Sequence, residues 1–126
     1  MGVRLQLDLG DKPSPHRVET VLRALARLSY EQMQAHPLPP LYASGVRYAR
    51  EQGREDWQTA HETFWKKRGD CEDLAAWRCA ELWVLGEKDA DVHCYAPRPG
   101  LIHCVVRRAD GRLEDPSKRL GMKGKG

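Results

Sequence analysis

The sequence has no apolar stretch near the roughly 20 residues that a membrane-spanning helix needs. Residues 1–4 also lack the hydrophobic segment of a secretory signal. With 40% hydrophobic and 31% charged residues, the composition is ordinary for a soluble globular protein. We therefore expect a cytoplasmic protein without a membrane partner, whose four cysteines are reduced thiols rather than a disulfide framework.

A nucleic-acid partner is not expected either. The net charge is only +3, and basic residues are spread among acidic ones except at 66–68 and 118–125. Aromatic residues do not alternate with basic ones as they do in a stacking platform for bases. No internal repeat is present, so we expect a single domain over 1–126 with a flexible basic tail at 123–126.

The sequence also lacks pairs of potential metal ligands at the spacing that is typical of zinc sites. Zinc ligands usually come in pairs two to four residues apart, whereas 93–94 and 103–104 are adjacent His-Cys pairs whose side chains would point to opposite faces of a strand. Cys71 and Cys79 would lie about 12 Å apart along one helix and cannot share an ion or a disulfide. We expect no metal and no cofactor. Three cysteines are expected to be core thiols: Cys79, Cys94 and Cys104. If His103 faces Cys71, then Cys104, the next residue on the strand, points to the opposite side.

Two elements are predicted over 1–36. Apolar and polar residues alternate over 3–9, which is typical of a half-buried strand. Ser14 as a cap, Pro15 in the first turn and apolar residues at helical spacing then predict a long amphipathic helix ending at His36. We expect this helix to pack on a sheet.

A second helix is predicted to begin at Cys71. Asp70 can cap it, and Asp73 three residues on completes a carboxylate version of the capping box. Few of its residues are polar, so it should be the central buried helix and end near Gly86. Strands are predicted after it over 92–96, 100–108 and 112–115, the last two joined by a hairpin turn at 110–111. This order predicts an α+β fold in which the helix carrying the cysteine packs on a small antiparallel sheet.

Cys71, His103 and Asp115 form a candidate catalytic constellation. Unpaired N–H groups and the positive end of the helix dipole favour a thiolate at the start of a helix. Acyl transfer through a cysteine also needs an imidazole to carry the proton and a group to orient the imidazole. The predicted hairpin brings His103 and Asp115 to neighbouring strands, and the backbone N–H of Cys71 would contribute to an oxyanion hole.

Three motifs stand in order: Gly-Asp-Cys-Glu-Asp-Leu-Ala at 69–75, His103 before Cys-Val-Val, and Gly111 through Asp-Pro-Ser at 115–117. They resemble the transglutaminase-like branch of the papain-like cysteine enzymes, in particular its small bacterial and phage-encoded members. The resemblance covers about 57–122. It implies a papain-like core and cleavage or exchange of amide or isopeptide bonds in a peptide or protein substrate. It implies that Cys71 is the nucleophile, that His103 is the general base and that Asp115 is the third member.

Two further residues are candidates for the oxyanion hole or the substrate groove. Papain-like relatives often carry a glutamine several residues before the cysteine, and the residue six before Cys71 is Trp65. Its indole N–H would donate as a tryptophan does in true transglutaminases, or the ring would pack in the core. Asp70 would orient a loop near the nucleophile, or only cap the helix.

Other interpretations stay open. Cys71 could be a small buried side chain, with Asp70 and Asp73 only capping the helix and Asp115 only beginning a turn. A non-catalytic protein on the same fold could act in phage or particle assembly, with a phage structural or host protein as partner and a place in the virion. A cell-wall amidase of a related bacterial group would also use a cysteine and a histidine, although the motif at 115–117 fits the transglutaminase-like pattern better. The sequence decides neither between hydrolysis and transfer to an amine nor on an oligomeric state.

Overall fold

The computed structural model describes residues 4–6, 14–50 and 56–123. The helices of these ranges are α1 (Pro15–Ala35), α2 (Ala60–Lys66), α3 (Cys71–Val84) and α4 (Pro116–Arg119). The strands are β1 (Arg4–Gln6), β2 (Arg47–Tyr48), β3 (Asp56–Gln58), β4 (Arg68–Gly69), β5 (Asp91–Arg98), β6 (Leu101–Arg107) and β7 (Leu113–Glu114). No helix in the described ranges has the length and apolar character needed to cross a membrane.

The first helix begins and ends where the sequence predicts. The Ser14 hydroxyl accepts a hydrogen bond from the N–H of Arg17 at 3.2 Å, and Pro15 occupies the first turn. One stripe of α1 is buried against α3 and β5. The Arg23 guanidinium also donates to both carboxylate oxygens of Asp91, at 2.9 and 3.0 Å, which ties α1 to the start of β5.

The helix α3 is the centre of the fold, as predicted. It packs on α1 from one side and on β6 from another, so most of its side chains are buried. Leu74 and Trp77 are almost fully buried, and burial of side chains of this kind contributes about 1.5–3 kcal/mol each. Gly86 follows the helix with a φ of 101°, a conformation that favours glycine and stops the helix.

A three-stranded antiparallel sheet in the order β5-β6-β7 lies beside α3. Cys94 is directly opposite Cys104, and Val106 is opposite Glu114. Two short two-stranded pairs accompany it, with β1 antiparallel to β3 and β2 parallel to β4. The α+β class is therefore confirmed, and the finer assignment to a papain-like core stays a prediction.

Two predicted segments lie partly outside the described residues. Of the strand expected over 3–9, residues 4–6 are described, and they form β1. Of the tail expected over 123–126, only Lys123 is described.

Candidate active site

Cys71 is held as the first residue of α3 by a reciprocal capping box. The carboxylate of Asp70 accepts from the N–H of Asp73 at 3.1 Å, and the carboxylate of Asp73 accepts from the N–H of Asp70 at 3.2 Å. Burial and the charge of Asp70 raise the pKa of Asp73 well above its usual range. The structure therefore gives Asp70 the capping role, and the cap fixes the direction in which the Cys71 side chain leaves the helix.

The glycine before this box is required by close packing. A Cβ on Gly69 would lie 3.0 Å from Cβ of Asp73 and 3.0 Å from Cγ2 of Thr63, both nearer than ordinary contact. We expect Gly69→Ala to displace the box and lower the free energy of unfolding by about 1–3 kcal/mol. Urea unfolding of the two proteins measures this difference. Equal midpoints and slopes would show that the turn accommodates a methyl group.

His103 and Asp115 form a buried ion pair. The Nε2 atom of His103, on β6, lies 2.8 Å from Oδ2 of Asp115, and the histidine side chain is 5% exposed. The other carboxylate oxygen of Asp115 accepts from the N–H of Lys118 at 3.2 Å and so caps α4. Asp115 is therefore held by the helix that it begins, and its carboxylate contacts the imidazole. Its role in orienting a general base stays a prediction.

The ionisation of the pair favours a charged imidazole. The hydrogen bond with Asp115, followed by the interaction with Cys71, raises the pKa of His103 to about 9. Burial opposes ionisation of Asp115, but the hydrogen bond from His103 outweighs it and holds the pKa of the carboxyl below its usual value. Since Nε2 is bonded to Asp115, Nδ1 is the nitrogen left to exchange a proton with Cys71.

The thiol of Cys71 is activated by both residues of the His103-Cys104 pair. The thiol of Cys104 makes the largest contribution and His103 adds to it, so that the pKa of Cys71 falls to about 6 in spite of burial. The start of α3 lies against the backbone of β6, where the N–H of Cys104 also faces the sulfur. Both shifts favour the charged forms, a thiolate at Cys71 and an imidazolium at His103.

The expectation for Cys104 is half right. Cys104 is fully buried in the core, but its thiol also reaches Cys71, which the alternation of side chains along a strand did not predict. Its sulfur lies 2.7 Å from that of Cys94, its cross-strand partner. Both cysteines stand five residues from position 99, and this symmetry about the turn of the β5-β6 hairpin is the sequence signal that could have paired them.

One group of potential metal ligands occurs in the described part of the chain. The sulfurs of Cys71 and Cys104 and a carboxylate oxygen of Glu72 all lie within 4.8 Å of one another. These residues could hold a thiophilic cation such as Zn²⁺ through two sulfurs and one oxygen. The group includes the candidate nucleophile, so a bound cation would compete with the imidazole for the thiolate. The expectation of a metal-free site stays a prediction.

Cys71 and His103 open onto a pocket of about 340 Å³. The other lining residues are Tyr48, Arg50, Arg98, Leu101, Ile102, Met122 and Lys123. Burial, followed by the charge of Cys71, raises the pKa of the half-buried Tyr48, so its hydroxyl stays protonated and can donate. Trp65, the sequence candidate for the second oxyanion donor, is 83% exposed at the end of α2 and does not line the pocket. Tyr48 lines the pocket and carries a hydroxyl donor, whereas the indole N–H of Trp65 is outside it.

No protein-family model, no curated protein and no solved structure matches the chain. Its function is therefore inferred from the geometry and the chemistry of the site.

Proposed function

We propose that the protein is a cysteine-dependent enzyme that hydrolyses or transfers acyl groups from amide or isopeptide bonds through a thioester. The observation that carries this proposal is that Cys71, at the start of α3, lines one pocket with His103, whose Nε2 lies 2.8 Å from Oδ2 of Asp115. This arrangement supports the proposal, because thiol acyl chemistry needs a nucleophile, a base and a carboxylate that orients the base within reach of one another. The resemblance to the transglutaminase-like branch points to the same reaction and to a peptide or protein substrate.

The reaction follows from the two pKa values. Between about pH 6 and about pH 9, the thiolate of Cys71 and the imidazolium of His103 coexist. The thiolate attacks the amide carbonyl, and His103 gives its proton to the departing amine, which leaves a thioester on Cys71. Neutral His103 then takes a proton from water or from an acceptor amine, whose attack releases the acyl group.

The developing oxyanion has two candidate donors on different elements. The N–H of Cys71 is at the first position of α3, where the backbone has no partner within the helix. Tyr48, whose hydroxyl can donate, lines the same pocket from β2. Hydrogen-bond donors at these two positions would stabilise the negative charge that develops on the carbonyl oxygen during attack more than they stabilise the uncharged carbonyl.

Acylation by p-nitrophenyl acetate tests the proposal without knowledge of the substrate. We expect a burst of p-nitrophenolate at pH 7.5 and an acetyl group that peptide mapping by mass spectrometry places on Cys71. Cys79→Ser is the matched control, because Cys79 is buried on the same helix and burial raises its pKa. The burst should persist in Cys79→Ser and disappear in Cys71→Ser. Release of p-nitrophenolate no faster than in Cys71→Ser, or acetyl spread over lysines, would instead favour a non-catalytic role in assembly.

A further inference from the structure

The pocket beside Cys71 has a cationic rim, formed by Arg50, Arg98 and Lys123. These three residues line the pocket, and its lining in the described part of the chain includes no aspartate or glutamate. Arg50 follows β2, Arg98 ends β5 and Lys123 follows α4, so the positive charges come from three separate segments. Their convergence is a feature of the folded site and not of a local run of basic sequence.

The cations of the rim lack the carboxylate partners that some other cations of the described residues have. Arg23 pairs with Asp91 at 2.9 Å, and Arg108 pairs with Glu87 at 2.8 Å. None of the ion pairs among residues 14–50 and 56–123 involves a cation of the rim. The rim therefore presents charge that the described part of the protein does not neutralise with a carboxylate.

An apolar wall stands beside this rim. Leu101, Ile102 and Met122 line the same pocket. The volume of about 340 Å³ is at the small end of the range for ligand pockets. A group that fills the pocket thus meets an apolar surface and three cationic side chains. The carboxylate of Glu72 lies within 4.8 Å of the Cys71 sulfur but is not part of the pocket lining.

We propose that this site selects peptide substrates that carry an acidic side chain next to the bond attacked by Cys71. The inference rests on the proposed function, since it names the substrate class of the same site. A carboxylate about 6 Å from one cation gains about a threefold preference over a neutral group at water-like screening, and several cations add to this preference. The apolar wall accommodates the stem of the acidic residue or its neighbour.

Alkylation by two reagents of the same shape tests the rim. Iodoacetate carries a carboxylate and iodoacetamide a neutral amide, and both react with the same thiolate of Cys71. We expect the ratio of their rates at Cys71 to exceed the ratio at N-acetylcysteine amide and to decline with added salt. Neutralising the rim by Arg50→Gln, Arg98→Gln or Lys123→Gln should lower the ratio about threefold each, with the His103 imidazolium unchanged.

The matched control is Arg27→Gln, which removes one positive charge from an exposed position on α1 that lines a different pocket. It should leave the ratio unchanged. A ratio that is the same in the three rim variants as in the wild type would overturn the proposal. Both reagents react with the same thiolate, so the fraction of thiolate cancels in the ratio of the two rates. The ratio therefore tests the rim separately from the triad. If the triad were wrong, the iodoacetamide rate alone would show the pH dependence of an ordinary thiol.

Discussion

Replacing His103 by alanine should slow the alkylation of Cys71 by iodoacetamide about three- to tenfold at about pH 6.5. In the wild type, the rate should rise with pH through a midpoint near the Cys71 pKa of about 6, because the reactive thiolate forms there. His103→Ala removes the imidazolium, so the midpoint should move toward the ordinary value of about 8.5. The remaining hydrogen bond from Cys104 should keep the midpoint from reaching that value. Quenched reactions, analysed by mass spectrometry of the peptide that contains Cys71, give the rate as a function of pH for the wild type and for His103→Ala.

A second histidine on the same sheet provides the control for this experiment. His93, on β5, bonds Glu19 through Nδ1 at 3.3 Å and does not line the pocket. His93→Ala should keep the wild-type midpoint. A wild-type midpoint at the value of a free thiol, or an identical midpoint in His103→Ala, would contradict the assignment of the thiolate and imidazole pair.

The parts of the site with local determinants could be predicted from the sequence. Asp70 and Asp73 specify the start of α3 within one turn, and that start fixes where Cys71 lies. The Asp-Gly signal at 110–111 likewise predicts that β6 and β7 pair, which brings Asp115 near His103. The loop is one residue longer than predicted, because Arg107 is opposite Leu113 and Arg108 donates to the carbonyl of Arg112 around residues 109–111. In such places, the residues that decide the geometry are neighbours in the chain.

The position of Asp115 shows where this reasoning stops. Counting from the turn places Asp115 four residues after it and His103 seven before it, so a regular ladder would not make them partners. The ladder instead ends at the Val106-Glu114 pair, and Asp115 leaves the strand to cap α4. A capping residue has an extended backbone and its own side-chain direction, and this frees the carboxylate to reach His103. The sequence thus predicts that His103 and Asp115 are partners, and the end of β7 just before α4 gives the Asp115 carboxylate the direction that the contact needs.

The lining of the pocket could not be predicted, because it depends on contacts between distant segments. Tyr48 is in the short strand β2, and Arg50 follows that strand. The two residues of β2 pair with the two residues of β4, which are distant in the sequence. Lys123 follows a four-residue helix. Segments this short show no periodicity, so their burial and direction follow from the packing around α3. The residues that the sequence did not predict are therefore those that line the pocket around Cys71.

Removing the hydroxyl of Tyr48 should separate two reactions of the same thiolate. We expect Tyr48→Phe to slow acetylation of Cys71 by p-nitrophenyl acetate roughly 10- to 100-fold, because that reaction passes through an oxyanion that the hydroxyl can bind. Alkylation by iodoacetamide forms no oxyanion. In the same variant, its rate should therefore change less than about twofold, and its pH midpoint should stay the same. Tyr42→Phe is the matched control, since the Tyr42 hydroxyl bonds Glu114 and does not line the pocket. Equal loss of both reactions in Tyr48→Phe would show that Tyr48 supports the thiolate, and no loss of either would leave the backbone N–H of Cys71 as the donor for the oxyanion.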